Sequence, residues 1–348
     1  MTAYTVQMEQ LPGLLAAWSE QCQVHVPVSL ENGFYDFGPW RPGTEIAFEY
    51  DVAYNPLKRF FMPPREDMVV FDLETYAAKP VFAAPNILLF GVHPYDVKAV
   101  TQLDQLMESG SVDQNYFSRR DATVIFALTP MAVSETAFWA SVGADKVDQG
   151  FDLYWTKIGP GTFHVEIGSG KGEELLLAAG PLSPATAGSR EAARKAQVRA
   201  RNLGLRRKLD FDWHETPHVM GRSWNSSLWH RKAEKCLGCG SCNIVCPTCY
   251  CFDIREEVDE KLKTGHRFRE WDGCMLNGFA LVAGNHNFRP QASERYRHRY
   301  MRKGKYIFDK IGELGCVGCG RCVRACTSKI ADPCEIFNTL WEESRHEI

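Results

Sequence analysis

Two cysteine runs constrain this chain more than any other feature. They read Cys236-Leu-Gly-Cys239-Gly-Ser-Cys242-Asn-Ile-Val-Cys246-Pro247 and Cys316-Val-Gly-Cys319-Gly-Arg-Cys322-Val-Arg-Ala-Cys326. Both follow C-x2-C-x2-C-x3-C, a spacing that holds cubane [4Fe–4S] clusters. Each cubane iron takes one thiolate, so three thiolates on one tight loop cap three corners. Gly238, Gly240, Gly318 and Gly320 let the backbone take positive φ and approach the inorganic sulfides. Backbone N–H groups turned inward then donate to those sulfides and help set the potential. The runs use eight of the 13 cysteines, so the chain reads as a two-cluster protein.

In a two-cluster ferredoxin the fourth cysteine of each run ligates the other cluster. By that rule Cys236, Cys239, Cys242 and Cys326 hold one cubane, and Cys316, Cys319, Cys322 and Cys246 hold the second. The second run has Thr327 where proline follows the first. Losing the fixed φ of proline loosens that turn, which leaves Cys334 as a substitute ligand; the spacing favours Cys326. Cys249, Cys251 and Cys274 have two readings. One is an extra metal site or a redox-active thiol set. The other, favoured here, is small buried side chains packed near the clusters, because three thiolates fall short of a four-coordinate site. Cys22 stands alone on a helix and reads as packing.

The chain has 348 residues with 45% hydrophobic content, enough for a sizeable core in one large or two moderate domains. A formal net charge of −3 gives no general reason to expect nucleic acid or an anionic membrane as partner. Cysteines clustered at metal spacing argue for a reducing compartment rather than a secreted disulfide scaffold. The N-terminal stretch has no basic leader pattern, and no apolar stretch approaches the length of a spanning helix. The expectation is a soluble, cytoplasmic protein with no membrane partner.

The predicted architecture is an α+β or α/β N-terminal domain followed by a mainly helical, α-helical ferredoxin-like domain for the two clusters. Residues 1–185 form the first, 186–225 a charged helix and linker, and 226–348 the dicluster domain. A helix is predicted over 11–22, with Leu14, Leu15 and Trp18 on one face. Strands are predicted at Met68–Leu73, Ile87–Val92, Thr123–Leu128, Phe151–Trp155 and Phe163–Ile167. A helix starts near Pro94 and carries Val97, Val100, Leu103 and Met107. A Pro/Ser/Gly break spans 181–189, and a charged helix covers Arg190–Lys208. The polar insert between the runs, 252–315, reads as helices and loops.

Weaker signals have bland readings. His93-Pro94-Tyr95-Asp96 reads first as a helix cap, with Asp96 favouring the macrodipole. Gly168-Ser-Gly170-Lys171-Gly172 lacks the full phosphate-loop pattern and reads as a hairpin turn. No G-x-G-x-x-G opens a strand–helix unit, so this chain is not expected to bind NAD itself. The basic, aromatic-rich stretch 289–305 reads first as a docking surface and last as a nucleic-acid site.

Larger segments are similar to a known family. CLGCGSCNIVCPTCYCFDI, RFREWDGCMLNGFALVAGNHNFRP, ERYRHRYMRKGKY and CVGCGRCVRAC resemble the β subunit of cytoplasmic sulfhydrogenases. These are [NiFe] hydrogenases that exchange electrons with NAD(P) and sulfur. The iron–sulfur A subunit of anaerobic sulfite reductase shares the pattern. In the N-terminal half the matching segments include LLFGVHPYDVKAVTQLDQL, Tyr116-Phe-Ser-Arg119-Arg120 and Gly150-Phe-Asp-Leu153. The resemblance implies a non-catalytic electron-transfer subunit. It would pass electrons to or from a γ-type subunit that carries FAD and NAD(P), with δ- and α-type subunits completing the hydrogenase. Ferredoxin or another redox carrier is a further partner. Relatives often have cysteine where this chain has Tyr95, and a Cys-Phe-Cys-like element where it reads Glu135-Thr-Ala-Phe138-Trp139; that chemistry is absent here. Two alternatives stay open at this point. One is electron delivery to an anaerobic sulfite reductase. The other is a thiol or metal enzyme using Cys249, Cys251 and Cys274.

Overall fold

Two largely apolar runs, Ile87–Val92 and Thr123–Leu128, become adjacent parallel strands with every residue buried. Runs of this kind belong at the centre of a sheet covered on both faces. The computed structural model describes residues 2–180 and 182–346. Around those two strands it builds an eight-stranded mixed sheet. Gln23–Ser29 pairs parallel to Ile87–Val92, and Leu153–Gly159 pairs parallel to Thr123–Leu128. Antiparallel strands close both sides: Tyr35–Pro39 on one, then Thr162–Ile167, Ala3–Gln7 and Ser183–Pro184 on the other. Trp18, Phe90, Phe126, Trp155 and Phe163 fill one face of the sheet. Tyr50, Phe61, Leu89, Val97, Leu103 and Ile125 fill the other.

The helix predicted at Pro94 spans Pro94–Glu108 and buries Val97, Val100, Leu103 and Met107. Pro181, the first residue of the predicted break, lies outside the described residues. Beyond it Ser183–Pro184 adds an edge strand, and Thr186 caps a helix over Ala187–Gly204. That helix buries a stripe of small residues, Ala193, Ala196, Ala200 and Gly204. Gly204 is needed because a Cβ there would stand 2.5 Å from the Trp139 ring.

The C-terminal region is helical only in part. The segment read as helices and loops opens with an antiparallel hairpin, Phe252–Val258 and Thr264–Trp271. Thr264–Trp271 pairs with Arg65–Asp72 from the N-terminal half, and Ala78–Pro80 completes a four-stranded sheet. The apolar alternation that signals a strand is missing because cross-strand ion pairs line one face. Arg65 meets Glu257 at 2.6 Å and Arg255 meets Glu270 at 2.8 Å there, while Arg267 pairs with Glu256 on the opposite face. On the other face Glu66 joins Arg269 at 2.7 Å and also pairs with Arg119, all three buried.

One further core joins the halves. Val52, Tyr95, Ala99, Phe138 and Trp139 pack with Trp229, Tyr300, Leu314, Val317, Phe337 and Leu340. Ala292–Met301 and Ile307–Ile311 are α-helical on either side of a π-helical turn over Arg302–Tyr306. Such turns recur at functional sites, and this one bears Lys303. Among the described residues, no helix is long and apolar enough to cross a membrane.

Candidate iron–sulfur centres

The two cysteine runs fold alike. Gly238 and Gly318 both sit at φ 65°, and Gly240 and Gly320 at 73° and 79°. Only glycine takes this left-handed conformation without strain. Short helices, Ser241–Ile244 and Arg321–Ala325, begin directly after the second glycine of each run and pack against each other. The second run is wedged against the N-terminal half. A Cβ on Gly320 would lie 2.4 Å from the Thr136 hydroxyl, and one on Gly318 would lie 2.7 Å from the Trp139 backbone. The Phe138 N–H also donates to the Gly318 carbonyl at 2.8 Å.

Cys236, Cys239, Cys242 and Cys326 line one cavity, together with Tyr296 and Met275. Cys246 is set beside the other run. Its Sγ is 3.4 Å from the Thr248 hydroxyl, which donates at 2.7 Å to the carbonyl of Gly315, the residue before Cys316. The Lys303 ammonium holds the same hydroxyl at 2.6 Å. Among the described residues, no three His, Cys, Asp or Glu side chains stand close enough to hold a single metal ion. A cubane is gripped at four separate iron corners. Four thiols spread over a cavity wall fit that group and not a lone ion.

Exposure differs between the runs. Cys239 of the first run is exposed and Leu237 is 69% exposed, whereas Cys319 and Cys322 of the second are buried, as is Cys246 at the end of the first. Burial pushes the thiols of Cys242 and Cys316 up to about 11. Cys239 is lowered instead, by its hydrogen bonds with Ser241. The proximity of the two thiols holds Cys246 above and Cys249 below the usual thiol range. Cluster iron binds thiolates, so holding a cluster here would displace these protons.

The remaining cysteines fall into two groups. Cys249, Cys251 and Cys274 line a second cavity. Cys334 donates to the Lys208 carbonyl at 3.2 Å and Cys22 to the Trp18 carbonyl at 3.2 Å; both serve packing.

Several expectations need correction. Within the stretch 289–305, Arg295, Arg299 and Arg302 do not present the docking surface expected there. Arg295 and Arg299 are buried, and Arg302 turns inward to the Tyr250 hydroxyl. Arg299 and Lys303, four residues apart, line the cavity of Cys249, Cys251 and Cys274, whereas Arg295 turns to Asn277 Oδ1 and to the Arg289 and Pro290 carbonyls. Gly168–Gly172 is no hairpin turn but the entry to the helix Gly170–Ala178. The Asp152 carboxylate fills that turn, accepting from Ser169 at 2.6 Å and from the Ile125 N–H at 2.8 Å, so no phosphate fits.

The His93–Asp96 stretch does more than begin a helix. Asp96 forms a two-pronged ion pair with Arg321, at 2.7 Å on each prong, and Arg321 lies between Cys319 and Cys322. Lys58 reaches the Cys249 carbonyl at 2.8 Å, and Asn243 bonds thiols from inside the first run. Nothing in the sequence marks Lys58, Asn243 or Arg321, because their partners are distant in the chain.

His93 stacks on Tyr50 with ring centroids 3.9 Å apart, and its Nδ1 lies 2.7 Å from the Tyr95 hydroxyl. Burial, aided by the charge of Arg321, holds its pKa well below the usual 6.5, so the folded state keeps it neutral. Once unfolded, the ring takes up a proton below about 6.5. The unfolded state then binds more protons, and stability is lost as pH falls from there toward the folded pKa, by at most about 1.4 kcal/mol per pH unit. The denaturation midpoint should therefore fall less steeply with acid in His93→Gln than in the unaltered chain. Equal slopes would show that His93 does not govern the effect.

Residues 235–330 match the family described as 4Fe-4S dicluster domain. Over 322 residues the chain is 31% identical to the sulfhydrogenase 2 subunit beta of Pyrococcus furiosus, covering 92% of this chain and 93% of that protein.

Proposed function

The chain belongs to the sulfhydrogenase β-subunit family, and from that membership we propose that it relays electrons between a flavin- and NAD(P)-binding partner and the other subunits of a cytoplasmic [NiFe] hydrogenase. It is an iron–sulfur electron-transfer subunit. In this reading Cys236, Cys239, Cys242 and Cys326 hold one [4Fe–4S] cluster, and Cys316, Cys319, Cys322 and Cys246 hold the other. Residues 226–348 carry the clusters, and residues 1–185 brace them. FAD and NAD(P) sit on a γ-type partner, with δ- and α-type subunits completing the assembly.

The observation that carries this reading is the single cavity walled by Cys326 and the three leading cysteines of the first run. The cubanes supply reversible one-electron chemistry, within roughly −700 to +450 mV. The chain supplies the rest. Burial excludes water from the second centre, and the exposed Cys239–Leu237 edge of the first gives a route to a docked partner. Arg299 and Lys303 favour the more negative, reduced cluster and so raise its potential.

In the assembled complex, Cys322→Ser is expected to abolish hydrogen-dependent NAD(P) reduction. Hydrogen uptake with an artificial dye at the nickel–iron site should survive. NAD(P) reduction at the unaltered rate would overturn the relay.

A further inference from the structure

The two centres leave Cys249, Cys251 and Cys274 unused. These three line one cavity, beside Arg299, Arg302 and Lys303. Cys249 and Cys251 come from the segment leaving the first run, and Cys274 from the turn after Thr264–Trp271. Asn243, itself buried, ties the two together. Its amide nitrogen donates to Cys274 Sγ at 3.5 Å and Cys249 Sγ at 3.7 Å. Its Oδ1 accepts the Met275 N–H at 3.1 Å, which fixes the amide's orientation. Arg299 Nη1 points at Cys249 Sγ from 3.8 Å. Donors aimed at sulfur from two sides suit thiolates better than neutral packing thiols.

The charge count points the same way. Lys58, Arg299 and Lys303 are 3%, 2% and 3% exposed. Among the described residues none of them meets a carboxylate, and the Arg299 Nε has no hydrogen-bond partner. Lys58 rests on the Cys249 carbonyl at 2.8 Å and over the Trp271 ring at 4.1 Å. Buried cations without carboxylate partners call for anions close by. The clusters of the two runs supply part of that charge, and a thiolate at Cys249, which Arg299 and Asn243 both face, would supply more.

We propose that Cys249, Cys251 and Cys274 hold a third iron–sulfur cluster of the cubane class, whose fourth iron takes a ligand other than cysteine. A single zinc ion does not suit the site, since no three of the described Cys, His, Asp or Glu side chains converge on one point. The two ferredoxin-type runs share that property. The third cluster would lie close to the second, because the Cys249 N–H donates to the Cys246 carbonyl at 3.3 Å. The inference rests on the iron–sulfur reading above but uses none of its eight ligands.

Iron, acid-labile sulfide and zinc should be counted on the anaerobically purified full chain, with Mössbauer spectra of the same samples. The unaltered protein is expected to hold about twelve iron, four beyond the two clusters of the cysteine runs. The triple variant Cys249→Ser, Cys251→Ser, Cys274→Ser should lose about four iron and keep the paramagnetic signals of the other two clusters. About eight iron in the unaltered chain, or zinc at the site, would overturn the proposal, and neither reading depends on a variant that folds. A triple variant with unaltered iron would also overturn it. If the reading of the two runs fails instead, iron is insensitive to serine at Cys236 and Cys316, which the triple variant does not touch.

Discussion

Cys246→Ser should strip about four iron from the chain and abolish the cluster built on Cys316, Cys319 and Cys322, leaving the cluster of its own run in place. The motive is positional. Cys246 closes the first run, yet Thr248 ties it to Gly315 at the head of the second. Cys326 closes the second run, yet it lines the cavity of the first. Serine offers a poorer ligand than thiolate, and the nearby Cys249 is held by Asn243 and Arg299. Paramagnetic resonance of the reduced variants sorts them into pairs. Cys246→Ser and Cys319→Ser should lose the same signal, and Cys326→Ser and Cys236→Ser the other. If Cys246→Ser shares its lost signal with Cys236→Ser, each run is self-contained.

Asp96→Ala should destabilise the cluster-loaded chain by about 3–5 kcal/mol, a large share of a domain's stability. Asp96 is 0% exposed and Arg321 is 2% exposed, so the lost carboxylate cannot be replaced by water. The guanidinium keeps one further bond, from Nε to the Ala53 carbonyl at 2.6 Å, which leaves its charge unmatched. Because Arg321 sits between two cysteines of the second run, the damage should reach cluster retention there first. The double variant Asp96→Leu, Arg321→Met removes both charges at similar volume and should regain most of the loss. Anaerobic denaturation midpoints of the two variants measure this. A single variant within about 1 kcal/mol of the unaltered chain would mean that water or a neighbour rescues Arg321.

Much of the site was legible because it is local. The spacing of each run and its glycines sets a loop whose φ values recur at 65° and then at 73° or 79°. Ile87–Val92 and Thr123–Leu128 were legible because strands buried on both faces need unbroken apolar runs. The hairpin Phe252–Trp271 was not, since ion pairs along its exposed face erase the alternation that marks a strand. Arg295 and Arg299 read as surface charge for a related reason. Composition tells a solvated basic helix from a buried one only when the anions that would receive it are known.

What the sequence determined by itself is the chemistry: eight thiols at cubane spacing, and a chain able to cover them. What the tertiary structure alone decided is which groups share a wall. It brings Cys326 to the first run, Lys58 to Cys249, Asp96 to Arg321, and three further cysteines to one cationic cavity. Ligand spacing within a loop is set by a few backbone dihedrals that neighbouring residues dictate. The compensation of buried charge is set by partners far along the chain, and only packing brings them together.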